Sequence, residues 1–112
     1  FAKEGWIVAA SARRENLLQK LNSENENIYS FPLDVTNDAE CKNVFNAILK
    51  QFESIEICVF GTGINDPKSE KKFNIEKIRK IFEVNYFGIM NSINAIYDYY
   101  NYMSQTRQLI FF

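Results

Sequence analysis

The chain has 112 residues, with 13 Lys+Arg against 14 Asp+Glu and a formal charge of −1, so no global field draws it to nucleic acid or an anionic membrane. Hydrophobic residues make up 46% and aromatic residues 15%, enough for a packed core and too many for a disordered chain. There is no histidine, which excludes a Ser–His–Asp triad, a Cys–His pair and any His-liganded metal site within the chain, and Cys41 and Cys58 are too few for structural zinc.

The start, Phe1-Ala2-Lys3-Glu4-Gly5, reads as the last turn of a helix with a glycine stop. Trp6 to Ala12 is an apolar run too short for a helix, expected as a buried strand. Arg14 to about Asn22 carries leucines at 17, 18 and 21, a helical stripe. Polar residues 22–27 lead to a second strand, Ile28 to Val35, placed at a sheet edge by Pro32, which cannot donate to a ladder. Asn37 with Glu40 resembles a capping box and opens a helix whose apolar face is Val44, Phe45, Ile48, Leu49 and Phe52. Ile55 to Phe60 is a third strand, ending in Gly61-Thr62-Gly63. A polar loop through Asp66-Pro67 and Lys71-Lys72 precedes one long helix from about Asn74, with the stripe Ile75, Ile78, Phe82, Ile89, Ile93, Ile96. Arg107 to Phe112 is the fourth strand. Strands alternating with helices, each nearly continuous in apolar character, argue for an α/β domain with a parallel sheet covered on both faces. Cys41 and Cys58 sit in apolar-periodic segments and are expected as buried free thiols. No apolar run approaches the roughly 20 residues needed to span a bilayer, and no signal-peptide pattern opens the chain, so a soluble cytoplasmic domain is expected.

Four local features carry chemistry. Arg13-Arg14 stands where the first strand meets its helix. Ligands of open parallel sheets bind beyond the carboxyl ends of strands, and two arginines at a helix start oppose the macrodipole unless an anion lies between them. The alternative is a pair of solvated side chains. Asp34-Val35-Thr36 closes the second strand; its Asp could accept from an adenine amino group or serve only the turn after it. Gly61 and Gly63, with Thr62 between them, would permit close backbone approach to a ligand, as would any tight turn. Asn85 falls on the apolar stripe of the long helix, three residues after Phe82 and four before Ile89, where a carboxamide costs free energy unless bonded. Gly88, one turn on, adds roughly 1 kcal/mol against alanine. Two such violations in one turn suggest a functional reason, against an internally satisfied structural Asn.

In order and spacing these features resemble the short-chain dehydrogenase/reductase family. Ala12-Arg13-Arg14 matches the strand end where basic residues mark NADP(H) preference in that family and an acidic residue marks NAD(H). Asp34-Val35-Thr36 matches its Asp-Val-Thr motif, whose Asp contacts adenine. Phe60-Gly61-Thr62-Gly63 falls where the family has Asn-Asn-Ala-Gly, with only the last glycine kept. Val84-Asn85-Tyr86-Phe87-Gly88 resembles its helix motif, whose Asn belongs to the catalytic tetrad and holds a water-linked proton relay to the catalytic lysine, partly through its own backbone carbonyl. The resemblance implies a Rossmann-like, doubly wound parallel sheet. It assigns residues 1–112 to part of an NAD(P)-binding domain. Asn85 is then the candidate catalytic residue, and Arg13, Arg14, Asp34, Val35, Gly61, Thr62 and Gly63 are candidate cofactor contacts. The implied activity is hydride transfer between a nicotinamide cofactor, NADP(H) favoured over NAD(H), and a small carbonyl or alcohol substrate. The helix over 74–103 is a candidate homo-oligomer interface. A non-catalytic nucleotide-binding member of the fold, or another Rossmann-like enzyme such as a methyltransferase, are the alternatives.

The glycine-rich turn, the catalytic serine and the Tyr-x-x-x-Lys pair of that family have no counterpart here: no tyrosine has a lysine four residues later. Both ends therefore read as cuts through a larger domain, and the 112 residues alone are expected to be inactive. In the 3-2-1-4-5-6 order of this fold class the sheet would lack its middle strand and expose two apolar edges. Expressed alone, the chain is expected to be insoluble or molten; a sharp cooperative thermal melt of the isolated 112 residues would refute this.

Overall fold

The computed structural model describes residues 1–65, 73–102 and 108–111. The expected loop landmarks Asp66-Pro67 and Lys71-Lys72, and the strand ends Arg107 and Phe112, lie outside them. Strands β1 (Val8–Ala12), β2 (Ile28–Pro32), β3 (Ile57–Phe60) and β4 (Gln108–Phe111) alternate with helices α1 (Glu15–Glu24), α2 (Asp38–Phe52), α3 (Ile75–Phe82) and α4 (Gly88–Tyr102). The strands form two parallel pairs, β1 with β2 and β3 with β4, as the α/β reading requires. The chain divides into two compact units, Phe1–Asp34 and Val35–Phe112.

In the first unit, Ala2–Glu4 form a single 3-10 turn stopped by Gly5 at φ 87°, a left-handed conformation that glycine adopts without penalty. Trp6 belongs to this turn and not to a strand: its N–H donates to the Phe1 carbonyl, and its ring meets Phe1 edge-on at 6.1 Å. The ladder opens only at Val8, whose N–H donates to Asn27. It runs in register from Val8↔Ile28 to Ala12↔Pro32. Pro32 takes the last position, where its missing N–H interrupts nothing, and β2 stops there, short of Val35. Helix α1 is tied to β2 by side chains reaching the backbone, Ser30 Oγ to the Leu18 carbonyl at 2.8 Å and Asn22 Nδ2 to the Ile28 carbonyl. Of the three leucines, only Leu18 is buried; Leu17 and Leu21 stay about two-fifths exposed. Strand β1 is half-buried over Val8–Ala10 and exposed at Ser11 and Ala12, so it is not the fully buried strand expected.

In the second unit, the Asn37 side chain accepts from the Glu40 N–H at 3.1 Å, and α2 begins where the capping pattern placed it. Its buried face is centred on Cys41 and Phe45. Phe45 packs edge-on against Tyr99 of α4 at 5.6 Å, and the Tyr99 hydroxyl accepts from the Ile55 N–H at 2.8 Å. Beside this core β3 and β4 pair in register from Ile57↔Gln108 to Phe60↔Phe111, with the two phenylalanine rings stacked at 5.1 Å. Cys58 on β3 is only half-buried, unlike Cys41, and neither forms a disulfide among the described residues.

The long helix expected over 74–103 is broken in phase. Asn74 caps α3 by accepting from the Lys77 N–H, but residues Glu83–Phe87 form a π turn before α4 begins at Gly88. One extra residue in a turn rotates the next stretch of helix by about 100°. The stripe extrapolated from α3 therefore does not run on as one face. Ile75, Ile78 and Phe82 are exposed, and the buried row is Val84, Gly88 and Ile96. No helix of the described residues is long and apolar enough to cross a membrane.

Asp38, at the first position of α2, accepts from Lys42 Nζ at 2.7 Å and from Asn94 Nδ2 of α4 at 3.0 Å. These bonds, Lys42 first, hold its carboxyl below the usual carboxylate range. The folded state thus favours the ionised form, so its contribution to stability is present above the ordinary carboxyl pKa and fades as pH falls through that range and below it. In the full-length protein, chemical-denaturation curves of wild type and Asp38→Asn should differ near neutral pH and converge below about pH 4.

Candidate functional site

The expected site residues fall on both units. In the first, parallel pairing puts the residues just after β1 and β2 at the same, carboxyl end of the sheet, and the Leu33 N–H donating to the Ala12 carbonyl at 3.1 Å extends the contact past the strands. Arg13 and Arg14 come after β1 there, and Asp34 comes after β2. Arg14 does not lie inside the helix as expected but caps it. Its backbone is non-helical and its carbonyl accepts from both the Leu17 and Leu18 N–H groups, while no side chain caps the helix start. Both arginine side chains are exposed, and among the described residues neither guanidinium has an ion pair or hydrogen bond. Asp34 is half-buried and already engaged within the fold.

In the second unit, Gly61, Thr62 and Gly63 leave the carboxyl end of β3. Neither glycine has the positive φ that would require it. A Cβ at Gly61 would meet nothing within 4 Å, and one at Gly63 would come only to 3.9 Å of Asn85 Oδ1, an ordinary contact. Backbone strain and internal crowding therefore do not account for these glycines. What they provide is bare backbone at a strand end, open to close approach from outside.

Asn85 sits inside the π turn, half-buried. Its Oδ1 accepts from the Ile64 N–H at 2.7 Å and its Nδ2 donates to the Ile64 carbonyl at 2.9 Å. One carboxamide thus satisfies both polar groups of a single loop residue, as a neighbouring strand would, and fixes the segment that continues from Gly63. This removes the cost of placing Asn on an otherwise apolar helix. The π turn itself is a feature found most often at functional positions.

Gly88 has a different explanation, which its position in the sequence signalled but could not supply. A Cβ on Gly88 would lie 2.5 Å from Val35 Cγ2 and 3.1 Å from Val35 Cβ. Helix α4 therefore rests directly on the residue next to Asp34. Sequence reasoning missed the residues that complete this contact, Asn91 and Asn94 of α4, and missed Ile64 as the partner of Asn85. For Asn91 and Asn94 a signal existed in two more carboxamides within an apolar helix; for Ile64 there was none.

The short chain dehydrogenase family model matches residues 1–110. A dehydrogenase/reductase SDR family protein 7-like of Dictyostelium discoideum is 28% identical over 110 residues, covering 88% of this chain and 35% of that protein. The human dehydrogenase/reductase SDR family member 7 is 26% identical over 103 residues, covering 85% of this chain and 30% of the relative. Among solved structures, ElxO with NADP bound superposes with a TM-score of 0.87 at 20% identity, over 99% of this chain and 46% of its own. Serine dehydrogenase from Escherichia coli does so with a TM-score of 0.83 at 24% identity, over 99% and 51%. The chain thus spans about a third of the length of the curated relatives it matches and about half that of these structures. The likeness to the structures establishes the Rossmann-like fold.

Alanine at position 88 gains roughly 1 kcal/mol of helix propensity but must displace Val35, an overpacking that costs about 1–3 kcal/mol. Gly88→Ala in the full-length protein should therefore lower the urea midpoint. The penalty should shrink when the substitution is made on Val35→Ala. Equal penalties in both backgrounds would show that the close approach is not what demands glycine.

Proposed function

The chain belongs to the short chain dehydrogenase family, and from that premise we propose that it is the central part of an NADP(H)-dependent oxidoreductase acting on a small carbonyl or alcohol substrate. The observation that carries the cofactor assignment is the pair of exposed guanidinium groups of Arg13 and Arg14 at the carboxyl end of β1, unpaired among the described residues. A planar guanidinium binds a phosphate group by paired N–H donors, and the uncapped start of α1 favours negative charge at that place. The residues present fit a dinucleotide carrying a 2′-phosphate, and positions 12–14 that close this strand hold no carboxylate to bind a free ribose hydroxyl instead.

When bound, the nicotinamide group supplies the hydride to a carbonyl or accepts it from an alcohol. The chain's own residues bind and orient. Arg13 and Arg14 take the 2′-phosphate, and Asp34 accepts from the adenine amino group. Gly61, Thr62 and Gly63 offer backbone that a ligand can approach without meeting a side chain at Gly61. Asn85 acts in two ways. Its carboxamide, committed to Ile64 on both sides, holds the loop after β3. By family resemblance, Asn85 also holds the water of the proton relay, partly through its backbone carbonyl. The acid–base residue that relay would serve is not among these residues, so turnover belongs to the full-length protein. The NADP-bound state of the neighbour ElxO supports the same cofactor class.

Cofactor choice tests this assignment most directly. Arg13→Asp in the full-length protein should weaken NADPH binding by about a hundredfold, the loss of a charge-assisted pair plus a new repulsion, and leave NADH nearly unaffected. Titrations showing equal losses for both cofactors would refute the 2′-phosphate role.

A further inference from the structure

Three residues of α4, spaced three apart, meet one short segment of chain. Gly88 admits the Val35 side chain against the helix backbone, Asn91 Nδ2 donates to the Val35 carbonyl at 2.9 Å, and Asn94 Nδ2 donates to Asp38 Oδ1 at 3.0 Å. Residues at i, i+3 and i+6 form an oblique ridge on a helix, and this ridge lies across the turn that leads from Val35 into α2. Asn91 is its centre and is half-buried. The Val35 carbonyl it holds is also within 3.7 Å of Cys41 Sγ on α2, so that peptide oxygen is gripped from two helices.

We propose that Asn91 is a positioning residue for the adenine half of the cofactor, an inference that rests on the cofactor reading given above. A side chain that only packed α4 against α2 would be apolar here, because an Asn in a helix interior has poor propensity and a half-buried carboxamide costs free energy unless bonded. The bond it makes is directed at neither its own helix nor solvent. It goes to the peptide that leaves Val35, in the Asp34-Val35-Thr36 turn. Fixing that carbonyl prevents the Val35–Thr36 peptide from rotating and so orients the backbone of Val35, itself a candidate cofactor contact directly after Asp34. Ordering a binding turn before the ligand arrives raises affinity without a direct contact to the ligand. Asn91 thus acts on the adenosine end alone, whereas Asn85 acts on the loop after β3.

The two ends of the cofactor can be offered separately. In the full-length protein, Asn91→Leu keeps the size of the side chain and removes the donor; Asn91→Ala serves if the leucine variant melts well below wild type. Calorimetric titration with adenosine 2′,5′-bisphosphate should show affinity lowered about tenfold, the scale of one lost hydrogen bond. Titration with nicotinamide mononucleotide should be unchanged, and KM for NADPH should rise by more than kcat falls. Equal losses for both half-ligands, or none for either, would overturn the proposal, as would failure of both variants to fold, which would make Asn91 a residue of the core only. If wild type does not bind adenosine 2′,5′-bisphosphate at all, the cofactor reading itself fails and this inference falls with it; if wild type binds and the variants bind equally well, the inference alone fails.

Discussion

The close approach of α4 to Val35 is the constraint on which the second unit is built. With a side chain at position 88 the helix could lie where it does only if Val35 moved, since the first added carbon would stand 2.5 Å from Val35 Cγ2. With glycine there, Val84 and Ile96 reach the core on the same helix flank, and Tyr99 comes within ring contact of Phe45. Asn91 and Asn94 come within hydrogen-bonding distance of Val35 and Asp38. Each contact depends on the helix axis being this near. A glycine that costs about 1 kcal/mol of helix propensity is therefore offset several times over by the packing and hydrogen bonds it admits.

The π turn before Gly88 answers a second demand of the same helix. Residue 88 must face Val35 while residue 85 must face the loop after β3, and a continuous α-helix links the two phases rigidly. An extra residue over Glu83–Phe87 relaxes that linkage at the point where it is needed. On α3, before the turn, the isoleucines at 75 and 78 and Phe82 are exposed among the described residues.

Element order, the parallel class and the helix starts at Asn37 and Asn74 were legible in the residues, because caps and periodicity are local. The strand limits were less so. Trp6 is as apolar as a strand residue, yet its N–H is claimed by the Phe1 carbonyl, a contact no pattern records. Asn85 and Gly88 stood out as departures from a regular stripe, which located the site without explaining it. The explanation lies in Ile64 and Val35, which are 21 and 53 residues away along the chain, and hydrophobic periodicity carries no information on such partners. The π turn was invisible as well, since hydrophobic periodicity carries no signal for the extra residue over Glu83–Phe87.

Two kinds of polar residue stand at the strand ends and beside them. Asn85 and Asn91 have committed donors or acceptors to backbone groups, and Asp34 is engaged within the fold, so these residues shape the protein first and any ligand second. The guanidinium groups of Arg13 and Arg14 have no such commitment among the described residues. Two cations side by side at an uncapped helix start repel one another and oppose the dipole, and each would be tolerated there at a few tenths of a kcal/mol by pointing into water. Such a cost is small enough to persist by chance at one position. At two adjacent positions, at the strand end where ligands of this fold class bind, an anion that reverses both the repulsion and the dipole conflict is the simpler account. The internal scaffold and the proposed binding charge are thus carried by different residues. Selection for one phosphate pattern over another could then change Arg13 and Arg14 without disturbing the contacts that hold α4 to Val35.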